Sequence, residues 1–158
     1  KLLVMGSIAG AGGGCACSAN ALLKALLAYL VLDVKDWVLV DLEAGVEHLG
    51  RGTVEAVDGL IIVSEPGYRG LEVASEVGRL AADLGLRRQM LVLNKAAGTA
   101  DMSHALPDMP GLPEKVLTMP RLDGLEARQM SSGSVLDLPE VEAIDACMVE
   151  VVSFFKDL

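Results

Sequence analysis

Three short apolar runs, at residues 60–63, 89–93 and 115–119, stand between longer segments whose apolar residues recur at helical spacing. That alternation constrains the fold more than any other feature of the chain. Strands joined through helices run parallel, because a crossover of helical length carries the chain back to the same end of the sheet. The expected fold is therefore α/β, a mostly parallel sheet flanked by helices on both faces. Ligands bind such a sheet beyond the carboxyl ends of its strands, so the chemistry is sought there.

The rest of the chain fits this frame. Residues 1–5 read as a strand and 7–14 as a glycine-rich loop, followed by a helix at 19–32 with Ser18 as its N-cap. Residues 37–42 read as a strand buried on both faces, 45–52 as a polar loop and 53–57 as a short helix. The run at 60–63 is stopped by Glu65, Pro66 and Gly67. An amphipathic helix at 71–84 closes on Gly85 at the C′ position. Residues 96–113 form a looser segment, and 126–130 and 140–155 read as helices. At 158 residues, the chain is expected to fold as one domain, 1–158.

Composition narrows the function. Thirteen Lys and Arg against 22 Asp and Glu leave a net charge of −9, which speaks against nucleic acid as a partner. Aromatic residues are only 3% of the chain, too few for a base-stacking surface. The apolar fraction of 52% excludes disorder of the whole chain. No membrane span is expected, since the most apolar stretch, 19–32, is shorter than the roughly 20 residues a bilayer requires and contains Asn20 and Lys24. No secretory signal is visible, and three cysteines suit a reducing, cytoplasmic compartment better than a disulfide scaffold.

The loop from Gly6 to Gly14 follows a strand and precedes a helix, as a phosphate loop would. A P-loop needs Gly-Lys followed by Ser or Thr, and here the glycines lead into Cys15, Ala16 and Cys17. A dinucleotide loop fails as well, because Cys15 stands where Gly or Ala is required. The two thiols, one residue apart ahead of a helix N-terminus, are soft ligands placed where thiolate is favoured. Two sulfurs do not complete a tetrahedral site, but a symmetric dimer supplies four. The competing reading is a pair of small, half-buried residues.

Two strand ends carry further candidates. The run ending in Asp41, with Gly45 four positions on, has the Walker B and switch II pattern: Asp41 would hold the magnesium shell and Gly45 would hinge near a terminal phosphate. A turn-starting Asp is the plain alternative. Asn94 and Lys95 leave the strand at 89–93 as a pair that frames the base in several nucleotide-binding folds. Guanine-specific sites add an Asp two residues after the Lys. That position is Ala97, so a base site here should prefer adenine or be unselective. A simple turn is the alternative. His48 and His104 stand alone, and Cys147 falls among apolar residues of the closing helix as core.

Taken in order, the glycine-rich loop with Cys15-Ala16-Cys17, the stretch from Val40 to Thr53, the segment from Ile62 to Gly67 and Val92-Leu93-Asn94-Lys95 resemble the CooC-type ATPases. These are nickel-insertion accessory proteins of carbon monoxide dehydrogenase, in the MinD/ParA branch of the P-loop NTPases. The resemblance implies a dimeric ATPase whose nucleotide-driven closure is coupled to metal handling. It implies that Cys15 and Cys17 bind zinc or nickel at the dimer interface. Asp41 would be the Walker B residue, with Glu43 and Gly45 in the switch. Asn94, Lys95 and the loop at Pro120 would contact the base of ATP or ADP, bound with magnesium. Carbon monoxide dehydrogenase would be the client.

The family's Walker A loop precedes its Cys-x-Cys segment, and nothing here matches it, so the chain resembles the C-terminal portion of such a protein. ATP hydrolysis is expected to be lost without the lysine that positions the phosphates. Two other functions remain in view: a dimerisation or docking module without nucleotide, and a ParA-like partitioning ATPase. Nucleotide titration separates the first from the leading reading, and the acidic charge and the cysteine pair oppose the second.

Overall fold

The computed structural model describes residues 25, 29, 36–42, 57–97, 109–131 and 137–156. The chain forms two compact units, Lys1–Val57 and Asp58–Leu158. In the first unit, Ala25 and Tyr29 are helical, one turn apart, as expected for the segment at 19–32. Residues 36–42 correct the reading of a buried strand: none of them is in a strand, and Trp37 and Leu39 are 57% and 82% exposed. An apolar run becomes a strand only where neighbours complete its hydrogen-bond ladder, and among the described residues none pairs with this run. Asp41 is exposed and does not end a strand. The expected strand at 1–5, the loop at 7–14 with Cys15 and Cys17, and Glu43, Gly45, His48 and His104 lie outside the described residues.

The second unit carries the sheet. Its elements are β1 (Leu60–Ser64), α1 (Tyr68–Asp83), β2 (Gln89–Asn94), β3 (Lys115–Met119), α2 (Asp123–Ser131) and α3 (Val141–Phe155). The strands form a parallel sheet in the order β1-β2-β3. β2 is central, and Met90 to Leu93 are all buried. Successive residues of a strand point to opposite faces, so this run feeds two cores. Leu91 and Leu93 pack with Ile62, Leu71 and Ala74 on the α1 side. Met90 and Val92 pack with Leu117, Cys147, Val151 and Phe155 on the α3 side. Each buried Leu or Met contributes about 1.5–3 kcal/mol, which is what seats a helix on each face. The α/β reading, with helices flanking a parallel sheet, therefore describes the unit.

Local chemistry sets the ends of the elements. α1 begins at Tyr68, directly after Glu65, Pro66 and Gly67, one turn before its first buried residue, Leu71. It ends in a Schellman motif: Gly85, at φ +89°, donates to Ala82 O at 3.0 Å, and Leu86 donates to Ala81 O at 2.9 Å. Further along, Gly78 meets the 109–114 loop so closely that a Cβ there would lie 2.2 Å from Gly111 O. Ser75 Oγ donates to Pro110 O at 2.7 Å and fixes the same approach. α2 runs over Asp123–Ser131 and is longer than the expected 126–130. Its first turn is held from outside, because Gly124 N–H donates to Glu140 Oε1 at 2.8 Å. No helix among the described residues is long and apolar enough to cross a membrane.

Candidate functional site

Parallel pairing aligns the carboxyl ends of the three strands. Ser64 stands opposite Leu93, and Asn94 stands opposite Met119. The residues that follow, Glu65, Lys95 and Pro120, therefore emerge side by side on one edge of the sheet. Ala96 N–H donates to Met119 O at 3.1 Å, which binds the exit of β2 to the end of β3.

Lys95 is the only described non-glycine residue with positive φ, at 59°. A side chain there is disfavoured, and such a conformation persists only where its surroundings over-determine it. Two contacts do so. Lys95 N–H donates to Asn94 Oδ1 at 3.1 Å, turning the Asn94 carbonyl back on the chain. Lys95 Nζ donates to Glu65 Oε1 at 2.6 Å, spanning from β2 to the exit of β1. The pair is half-exposed, so its direct worth to stability is small.

Glu65 rests on a rigid seat. Its carbonyl oxygen accepts from Gly67 N–H at 2.8 Å and from Ser64 Oγ at 3.1 Å. The first turn of α1 presses on the same atoms: a Cβ at Gly70 would lie 2.6 Å from Ser64 Oγ and 2.9 Å from Glu65 O. Only glycine allows that contact. On the other flank Pro120 is exposed, and Arg121 Nε donates to Asp123 Oδ1 at 3.1 Å.

The structure thus places Asn94, Lys95 and Pro120 at the aligned carboxyl ends of β2 and β3. Glu65 is the residue that sequence reasoning missed as a site candidate. It stood out only as part of the turn ending β1, yet an acidic residue leaving the strand beside Lys95 was the available signal. Ala97 is exposed, and no carboxylate stands at its position. A groove of about 350 Å³ runs between β3 and α3, lined by Thr118, Pro120, Ala143 and Cys147. A larger cavity, about 680 Å³, opens at the opposite edge of the sheet by Gln89 and Lys115, away from these candidates.

No group of three or more His, Cys, Asp or Glu able to hold a metal ion occurs among the described residues. Cys147 is buried, and desolvation, followed by the nearby charge of Glu150, pushes its thiol above the ordinary value. A buried, protonated thiol is inert as a ligand or nucleophile, which agrees with its expected place in the core.

Comparison with known proteins gives the lineage. The chain is 47% identical over 106 residues to the carbon monoxide dehydrogenase accessory protein CooC of Rhodospirillum rubrum, covering 67% of this chain and 40% of that protein. It is 45% identical over 94 residues to an uncharacterised ATP-binding protein of Methanocaldococcus jannaschii, covering 60% of this chain and 37% of that one. A second such protein from that organism is 38% identical over 95 residues, covering 60% and 38%. The matches thus span about two-fifths of the length of these relatives. No protein-family model matches the chain, and no solved structure matches it. Over the matched two-fifths of their length, the chain is thus similar to a CooC accessory protein and to ATP-binding proteins.

Proposed function

We propose that the chain is part of an ATP-binding accessory protein that serves the maturation of carbon monoxide dehydrogenase in the cytoplasm. The observation that carries this reading is the edge formed by Asn94, Lys95 and Pro120, in a chain 47% identical to a CooC protein over 106 residues. The carboxyl edge of a parallel sheet is where nucleotides bind in folds of this kind. Asn94 offers its amide nitrogen to a base, Lys95 offers its stem, and Pro120 bounds the same edge. Without a carboxylate at Ala97, the edge suits adenine better than guanine.

The rest of the reading rests on the sequence. Asp41, an exposed carboxylate, is an oxygen donor of the kind magnesium takes, and Glu43 and Gly45 form the switch beside it. Cys15 and Cys17 hold the transported ion, nickel, or zinc in its stead. Thiolates suit both metals, and a homodimer supplies the four sulfurs of a closed site. The described residues offer no rival group of metal ligands.

Calorimetric titration with ADP and ATP tests the proposal. Saturable binding that Asn94→Ala abolishes supports it, and a chain that binds neither nucleotide refutes it. Elemental analysis tests the metal separately. One zinc or nickel ion per two chains, lost in Cys15→Ser, is the expected result.

A further inference from the structure

We infer that Glu65 is a positioning residue of the nucleotide edge: it holds Lys95 extended across the ends of β1 and β2 so that the lysine stem forms one wall of an adenine site. The inference rests on the nucleotide reading proposed above and adds a residue and a role to it.

The geometry supplies each step. Lys95 leaves the central strand at φ 59°, where the backbone departs from the course of the strand. Its Nζ then bonds Glu65 Oε1 at 2.6 Å. A free lysine samples many rotamers, and fixing it on ligand binding costs affinity. Glu65 meets that cost before the ligand arrives, and it can do so because its own backbone is clamped. Gly67 N–H and Ser64 Oγ both donate to its carbonyl, and the first turn of α1 packs against it so closely that a Cβ at Gly70 would not fit.

The neighbouring groups divide the work of recognition. With its ammonium engaged by Glu65, Lys95 presents a tethered hydrocarbon stem, which suits the flat face of a base. Asn94 has its carbonyl committed to Lys95 N–H, so its amide nitrogen is the group left to donate. A donor beside an apolar wall matches the ring-nitrogen acceptors of adenine. Guanine asks in addition for an acceptor opposite its ring N–H and amine, and Ala97 offers none.

The test is calorimetric titration of ADP into the intact chain and its variants, with circular dichroism to confirm folding. Glu65→Gln keeps the shape and removes the charge. It should weaken ADP binding by roughly three- to tenfold through the freed lysine. In a Lys95→Met background, Glu65→Gln should change nothing further, because the tether is already cut. Glu65→Asp, whose charge the flexible lysine can still reach, should recover most of the affinity. A merely structural role would instead lower stability in both backgrounds alike. Wild-type binding of ADP with no effect of Glu65→Gln overturns this inference and leaves the nucleotide reading standing. Equal effects of Glu65→Gln with and without Lys95 also overturn it. No binding of ADP by the wild type overturns both.

Discussion

Arg88 ties the start of the central strand to the end of the closing helix. Its Nε donates to the carbonyl oxygen of Phe154 at 3.1 Å, Nη2 donates to the same atom, and the guanidinium carbon lies 5.0 Å from the centroid of the Phe154 ring. The last carbonyls of a helix have no partner within it, and they carry the negative end of its dipole. Arg88 answers both with one planar cation. Arg88→Ala should therefore cost about 1–3 kcal/mol in urea unfolding. Arg88→Lys should recover only part, because an ammonium lacks the planar fork that donates to Phe154 O and lies against its ring together. Full recovery by lysine would reduce the contact to simple charge.

Gly78 is the second sensitive point, for the opposite reason. It needs no special backbone angle, but its missing side chain lets α1 meet the 109–114 loop. A Cβ would come within 2.2 Å of Gly111 O, a backbone atom that cannot rotate aside. Alanine at an open helical position stabilises by roughly 1 kcal/mol. Here Gly78→Ala should destabilise by about 1–3 kcal/mol instead, because loop and helix must part. Thermal unfolding decides the sign. A raised midpoint would show that the two segments are not held together in solution.

These contacts mark where the sequence was legible and where it was not. The three strands of the sheet were readable to within a residue, because β-branched and leucine runs bounded by turn residues leave little choice. Gly85 was readable as a helix stop for the same local reason. The start of α2 was not: Asp123 and Gly124 look like a turn, and what makes them helical is the carboxylate of Glu140, sixteen residues on. Residues 37–42 misled in the other direction. Their apolar run satisfies the strand pattern, but Trp37 and Leu39 are exposed and no ladder forms. Pattern reports what a segment tolerates, and pairing decides what it does. Asn94 and Lys95 could be placed at a strand end, whereas the Glu65 partner depended on strand order, which no local signal carries.

The two faces of the sheet predict a contrast between neighbouring strands. Leu91 in β2 is fully buried against the α1 core, while Val63 in β1 is 64% exposed. Leu91→Ala should cost about 2–5 kcal/mol, the lost transfer energy plus a cavity that cannot collapse between two packed layers. Val63→Thr should stay within about 0.5 kcal/mol of wild type. Denaturant unfolding of both variants measures the difference. Similar losses at the two positions would mean that a further layer covers Val63.

Cys147 makes the stability of the chain depend on alkaline pH. Burial first, then the charge of Glu150, raises its thiol pKa in the folded state above the unfolded value. The folded state thus keeps a proton that the unfolded state gives up. The resulting stability is fully present below the unfolded thiol value of about 8.5 and declines as pH rises through the higher folded value. Unfolding measured from pH 7 to pH 10 should show that decline setting in above about pH 8.5. In Cys147→Ala the profile should be flatter over the same interval, and the variant should be less stable than wild type at pH 7 because the core loses a sulfur. An identical alkaline slope in the variant would assign the decline to other groups and place the Cys147 thiol in contact with water.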